Sequence, residues 1–251
     1  MPVLYIVPSP SFTRRLAALA LFGVSFGYVE AAVVVYLRAI YDPVRARLHP
    51  ARSAVDLFPL ITIGQLRASG PENVRRLATE VGREAATILM LAAAALAVSR
   101  GAREWLAAFV LAFGVWDIAF YLSLKLLIGW PASLAAWDLL FLIPVPWAAP
   151  VLAPLLVSLT MVVGGTIVLW REHRGPPATI EAVHWIALAM AGCALIASFT
   201  WDYRHWASGG LPRSFPWWLF AIGEALGLAA LASALARSKP GVSQPQRVGD
   251  D

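Results

Sequence analysis

Residues 102–129, AREWLAAFVLAFGVWDIAFYLSLKLLIG, decide the fold. Between Glu104 and Lys125 the only charged side chain is Asp117, and the run is long enough, at about 1.5 Å per residue, to cross a hydrocarbon core about 30 Å thick. A carboxyl group inside such a run is costly and needs a physical reason. Two other apolar runs are interrupted in the same way, by Glu30 and by Glu224. From Arg15 to Glu30 is 15 residues, from Arg103 to Asp117 is 14 and from Glu224 to Arg237 is 13. If the arginines mark one membrane face, all three acids sit roughly 20–22 Å above it, in the far third of the core.

Composition supports a membrane chain before any helix is drawn. Hydrophobic residues make up 59% of the sequence and charged ones 14%, against about 25% charged in a typical soluble domain. The expected fold is all-α, a single polytopic bundle with six spans near 14–40, 71–99, 102–129, 149–171, 179–202 and 214–237. A short N-terminal segment, 1–13, precedes the membrane domain of 14–237, and a polar, disordered tail follows at 238–251. Thr13-Arg14-Arg15-Leu16 loosely resembles an export signal, but the apolar stretch continues past Glu30 to Val35, so a retained first span is expected.

Between Asp138 and Arg171 lie 32 uncharged residues broken by Pro144, Pro146, Pro150 and Pro154. Consecutive prolines oppose an unbroken helix, so the reading is a short helix over 132–143, interfacial or re-entrant, followed by a bent Ile143–Trp147 turn. A seventh crossing is the competing arrangement. Residues 41–70 form the one long connection, with Arg45, Arg47, Arg52 and Arg67 among leucines, either a lid over a site or a segment lying at the headgroups. In the second helix, Arg76 and Glu80 stand at ion-pair spacing.

The net charge of +5 comes from arginines at the ends of spans, with no basic run interleaved with exposed aromatics, which argues against nucleic-acid binding. Four basic pairs, Arg14/Arg15, Arg100/Arg103, Arg171/Arg174 and Arg237/Lys239, fall on one side. The positive-inside rule makes that side cytoplasmic, with both termini there, in a bacterial inner membrane. Cys193 is the only cysteine, which excludes an intramolecular disulfide and a CxxC motif.

The candidate ligand-binding residues are Glu30, Glu84, Asp117, Tyr121, Asp138, Asp202 and Glu224. Glu84 lies 16 residues from Arg100, close to the depth of the three opening acids, and Tyr121 is one turn from Asp117 on the same helix face. Three of the seven aspartates directly follow a tryptophan, at Trp116-Asp117, Trp137-Asp138 and Trp201-Asp202, which adds Asp138 and Asp202. Carboxylates beside aromatic faces suit a cationic guest. Arg38, Arg83 and Lys125 are the candidate charge partners, and the competing reading is that the acids pair with them merely to lock the bundle. No cofactor is identified. An all-carboxylate site would suit a hard divalent cation such as Mg²⁺ or Ca²⁺, whereas the histidines lack ligand spacing. No GxSxG, HExxH or glycine-rich phosphate loop is present, so no catalytic residue is assigned. These features favour an outward-facing acidic and aromatic pocket for a cation or cationic solute, coupled to proton movement in transport. A membrane enzyme acting on a lipid or isoprenoid at the outer leaflet, and an accessory or scaffold subunit, are the alternatives.

Overall fold

The computed structural model describes residues 11–50, 57–174 and 180–237. Arg52, most of the N-terminal segment and the 238–251 tail lie outside the described residues. Helices α1 (Phe12–Leu48), α2 (Ile63–Ala68), α3 (Pro71–Val98) and α4 (Ala102–Ile128) lead into a two-stranded sheet of β1 (Trp137–Phe141) and β2 (Trp147–Pro150). Helices α5 (Leu152–Arg174), α6 (Ala182–Phe199), α7 (Tyr203–Ala207) and α8 (Trp217–Ala236) complete the chain. Six helices are long and apolar enough to cross a membrane, and the chain is a multi-pass membrane protein built as an all-α bundle. Leu21, Leu89, Leu122, Leu126 and Ile186 are each more than half exposed, which is tolerable where lipid replaces water.

Helix α4 is the axis, packed against α1, α3 and α5. On α1, Arg15, Leu19, Gly23, Gly27 and Ala31 repeat every four residues and are all buried, forming one stripe toward α4. A Cβ at Gly27 would fall 2.5 Å from the Trp116 carbonyl oxygen, so only glycine permits this approach. Gly165 of α5 does the same against the Ala107 carbonyl, at 2.6 Å. Helices α6 and α8 pack mainly on each other, and α8 reaches the rest through α5.

The expected short helix at 132–143 is corrected by the structure: Trp137–Phe141 is extended and pairs antiparallel with Trp147–Pro150. Pro144 and Pro146 hold their preceding residues extended and cannot donate in a helix, whereas a hairpin satisfies its backbone by pairing with itself. The hairpin also joins the two helix groups through a chain of rings, Phe113–Phe141–Trp147–Phe199–Phe215, with centroids 5.8–6.4 Å apart. Helix α1 continues to Leu48 through Pro43, beyond the expected end near residue 40, which makes the following connection shorter than expected. Arg76 pairs with Glu72 rather than Glu80, and Glu80 pairs with Arg83.

The contacts separate two ends. At one, Arg15 meets Glu104 at 2.8 Å, Arg103 meets Glu172 at 3.5 Å and Arg237 meets Glu181 at 2.9 Å. At the other, Phe58, Trp137 and Trp206 form an edge-on ring cluster.

Gly27→Ala should lower stability by about 1–3 kcal/mol through overpacking at the α1/α4 contact. Gly82→Ala, where a Cβ meets nothing within 4 Å, should be neutral or stabilising by up to about 1 kcal/mol. Melting curves in detergent compare the two, and the reverse order would disprove a close α1/α4 contact.

Candidate functional site

The stripe that packs α1 onto α4 also carries Glu30 inward, one turn beyond Gly27. Comparable stripes bring Glu84 and Thr87 inward on α3 and Asp117 and Tyr121 inward on α4. A cavity of about 1130 Å³ lies among these helices, the hairpin, α5, α6 and α8. Its walls run from Leu106 and Trp185, about a turn inside the arginine-bearing end, to Asp42 and Arg45 at the other. Leu57 and Leu60, from the connection after α1, and Ile63, the first residue of α2, line that second end. The lining is mainly aliphatic and aromatic.

Glu30, Glu84, Asp117, Tyr121, Asp138 and Glu224 all line this cavity. Asp202 does not; it stands at the start of α7, while its neighbour Trp201 packs on Trp218. Lys125 is also outside, its ammonium donating to the Gly129 and Pro131 carbonyls at 3.1 and 2.9 Å, where it finishes α4. Arg38 lines the cavity with its guanidinium 4.5 Å from the centroid of the Trp130 ring.

The acids divide by their partners. Glu30 is ion-paired with Arg83 and accepts from the Thr87 hydroxyl at 2.8 Å, while Arg83 also donates to Glu80 at 3.0 Å. For Glu30, therefore, a bundle-locking pair accounts for the burial. The other four accept from neutral donors: Asp117 from Ser158 at 2.7 Å, Glu224 from Thr160 at 2.8 Å, Glu84 from the Leu142 N–H at 2.9 Å, and Asp138 from Tyr121 at 2.8 Å and the Leu139 N–H at 2.9 Å. Seven acids and three arginines line the cavity of a chain whose net charge is +5, so the local balance reverses the global one.

Sequence reasoning missed the hydroxyl partners. Ser158 and Thr160 are the only hydroxyl-bearing residues between Trp147 and Thr166, a signal that was present but ambiguous, because such residues often bond their own helix backbone. Glu104, buried against Arg15, was also missed. Among the described residues no three of His, Cys, Asp and Glu come together as a metal-ligand set. The arrangement instead offers dispersed carboxyl groups in an apolar chamber, suited to exchanging protons or meeting a large cation.

Asp138, on the hairpin outside the spanning helices, has its carboxyl pushed up to about 6 by burial, against the lowering pull of Tyr121, the Leu139 N–H and Arg38. An acid whose folded pKa is raised binds its proton more tightly in the folded chain. Its contribution to stability is therefore lost as pH rises from about 4, the unfolded value, through about 6. Asp138→Asn should flatten this part of the stability-against-pH profile. An unchanged slope between pH 4 and 6 would remove Asp138 as its source.

Comparison of the chain with protein-family models, with curated proteins and with solved structures finds no match.

Proposed function

We propose that the cavity binds an organic cation, with its apolar body against the aliphatic and aromatic walls, and that its carboxyl groups exchange protons against that cation during transport. The observation that carries this reading is the set of four cavity acids, Glu84, Asp117, Asp138 and Glu224, whose hydrogen-bond donors are all neutral. An ionised carboxylate in low dielectric calls for a counter-charge, and a protonated one calls for none. Glu84, Asp117 and Glu224 can each keep this hydrogen bond in either state, because the donor serves one oxygen and leaves the other for a proton or a cation, whereas at Asp138 the Tyr121 hydroxyl and the Leu139 N–H engage one oxygen each.

Rings support the same ligand class. Trp116, Phe120, Tyr121 and Trp147 line the cavity beside the acids, and aromatic faces attract cations most strongly where water is excluded. The dispersed acids suit a large monovalent cation better than a metal ion, which needs several ligands converging on one point. Walls that extend over most of the bundle's height suit passage through it. By the positive-inside rule, the end carrying Arg15, Arg103 and Arg237 faces the cytoplasm of a bacterial inner membrane.

Equilibrium binding of tetraphenylphosphonium and tetramethylammonium to the detergent-solubilised protein tests the reading. Asp117→Asn should weaken binding about tenfold or more, the loss expected for a charged contact worth about 1.5–3 kcal/mol. Its melting temperature should stay near wild type, because Ser158 can still donate to the amide oxygen. Arg83→Met, which strands buried Glu30, should destabilise the fold instead. If Asp117→Asn destabilises the protein and no cation binds wild type, the site reading fails.

A further inference from the structure

A second cavity of about 340 Å³ lies between α5 and α8, and its wall is apolar apart from Thr160. Thr160 lines both cavities, and its hydroxyl donates to Glu224 at 2.8 Å. The small groove therefore begins where the large cavity presents a carboxyl group.

The helix registers make this continuity directional. On α8, Glu224 is followed at spacings of four, three and four residues by Leu228, Leu231 and Leu235, so the acid heads the same face that walls the groove. On α5, Thr160, Gly164 and Ile167 form the matching face. From Thr160 to Ile167 the groove runs about 10 Å along the bundle. Gly164 helps to keep it open: a Cβ there would stand 3.0 Å from Leu231 Cδ2. Beyond Thr160 at its mouth the groove presents only aliphatic side chains and Gly164, a wall that suits an aliphatic chain.

We infer that Glu224, Thr160 and the α5/α8 groove form a head-and-tail site for a single-chain cationic amphiphile, with the ammonium on the Glu224 carboxylate and the alkyl chain along Leu228, Leu231 and Leu235. The inference rests on the organic-cation reading of the large cavity and narrows the ligand to an alkylammonium. Charge complementarity selects the head, since Glu224 has a neutral donor and no basic partner among the described residues. The apolar walls select the tail, since methylenes gain dispersion contacts along Leu228, Leu231 and Leu235 that a compact cation cannot reach.

The test uses the full-length protein in phosphatidylcholine nanodiscs and trimethylammonium probes from tetramethyl to dodecyl, with binding corrected for partition into protein-free discs. The corrected affinity should rise about tenfold along the series, a gain of about 1.4 kcal/mol drawn from packing against the groove wall, because lipid already supplies the hydrophobic term. Ala232→Trp, which fills the groove from an exposed position, should remove that rise. A dodecyl probe carrying a diazirine at its tail end should crosslink within 159–167 and 228–235, and Glu224→Gln should abolish the labelling. Equal labelling by an uncharged dodecyl analogue would reduce the groove to an ordinary acyl-chain crevice and overturn the proposal, as would labelling that survives Glu224→Gln. If tetramethylammonium and tetraphenylphosphonium bind but chain length has no effect, the tail placement fails and the organic-cation reading stands. If no cation of any length binds, both fail.

Discussion

Backbone-close packing around α4 is the constraint on which the rest of the structure depends. Glycines at Gly23, Gly27 and Gly165 bring α1 and α5 against α4 at distances no larger residue permits, and Gly114 on α4 meets α5 in the same way. Such contacts supply the dispersion and shape fit that hold helices together where lipid is as apolar as the side chains. They also fix the rotation of α4, and so oblige Asp117 and Tyr121 to face the interior. The α6/α8 pair lacks comparable contact with α4, and the hairpin's rings span the interval. The chamber is the volume left by this unequal packing.

Within the chamber, electrostatics divides structure from chemistry. Arg83 satisfies Glu30 and Glu80 together and ties α1 to α3, an arrangement whose value lies in geometry rather than net stability. Arg15 and Glu104 play the corresponding part near the opposite end, tying α1 to α4. A single helix stripe thus carries an ion pair near each end, which sets the depth of α1 along its neighbours. The remaining acids are held by hydroxyl and amide donors, which orient a carboxyl group without fixing its charge.

Much of the fold was legible because membrane spans are written in length and apolarity. Glu30, Asp117 and Glu224 stood out as breaks in apolar runs, and their similar distances from arginines, 13 to 15 residues, set their expected depth; that they share a cavity depends on helix rotation, which depth does not contain. The hairpin was harder to read. Leu139, Leu140 and Phe141 serve a helix or a strand equally, and the deciding partners lie across the fold, in the Leu142 N–H with Glu84 and Trp147 with Phe199. Arg83 was one of three cations that could have met Glu30, and only packing chose it over Arg38 and Lys125. Asp202 shared the Trp-Asp signature, but a nearest-neighbour pattern says nothing about which way a turn faces.

The hairpin also orders the protein's biosynthesis. Trp147 stacks on Phe199 of α6, and Trp137 packs against Trp206 and Phe215, all encoded after the hairpin. When β1 and β2 leave the ribosome, the α3 and α4 side of their seat, with Glu84, Phe113 and Tyr121, already exists, but the α6 to α8 side has not been made. A nascent chain ending before α6 leaves the faces of Trp137 and Trp147 that meet Phe199, Trp206 and Phe215 turned toward lipid or the insertion machinery. Synthesis of α6, α7 and the approach to α8 is therefore the step that closes the hairpin's second side and completes the centre of the molecule.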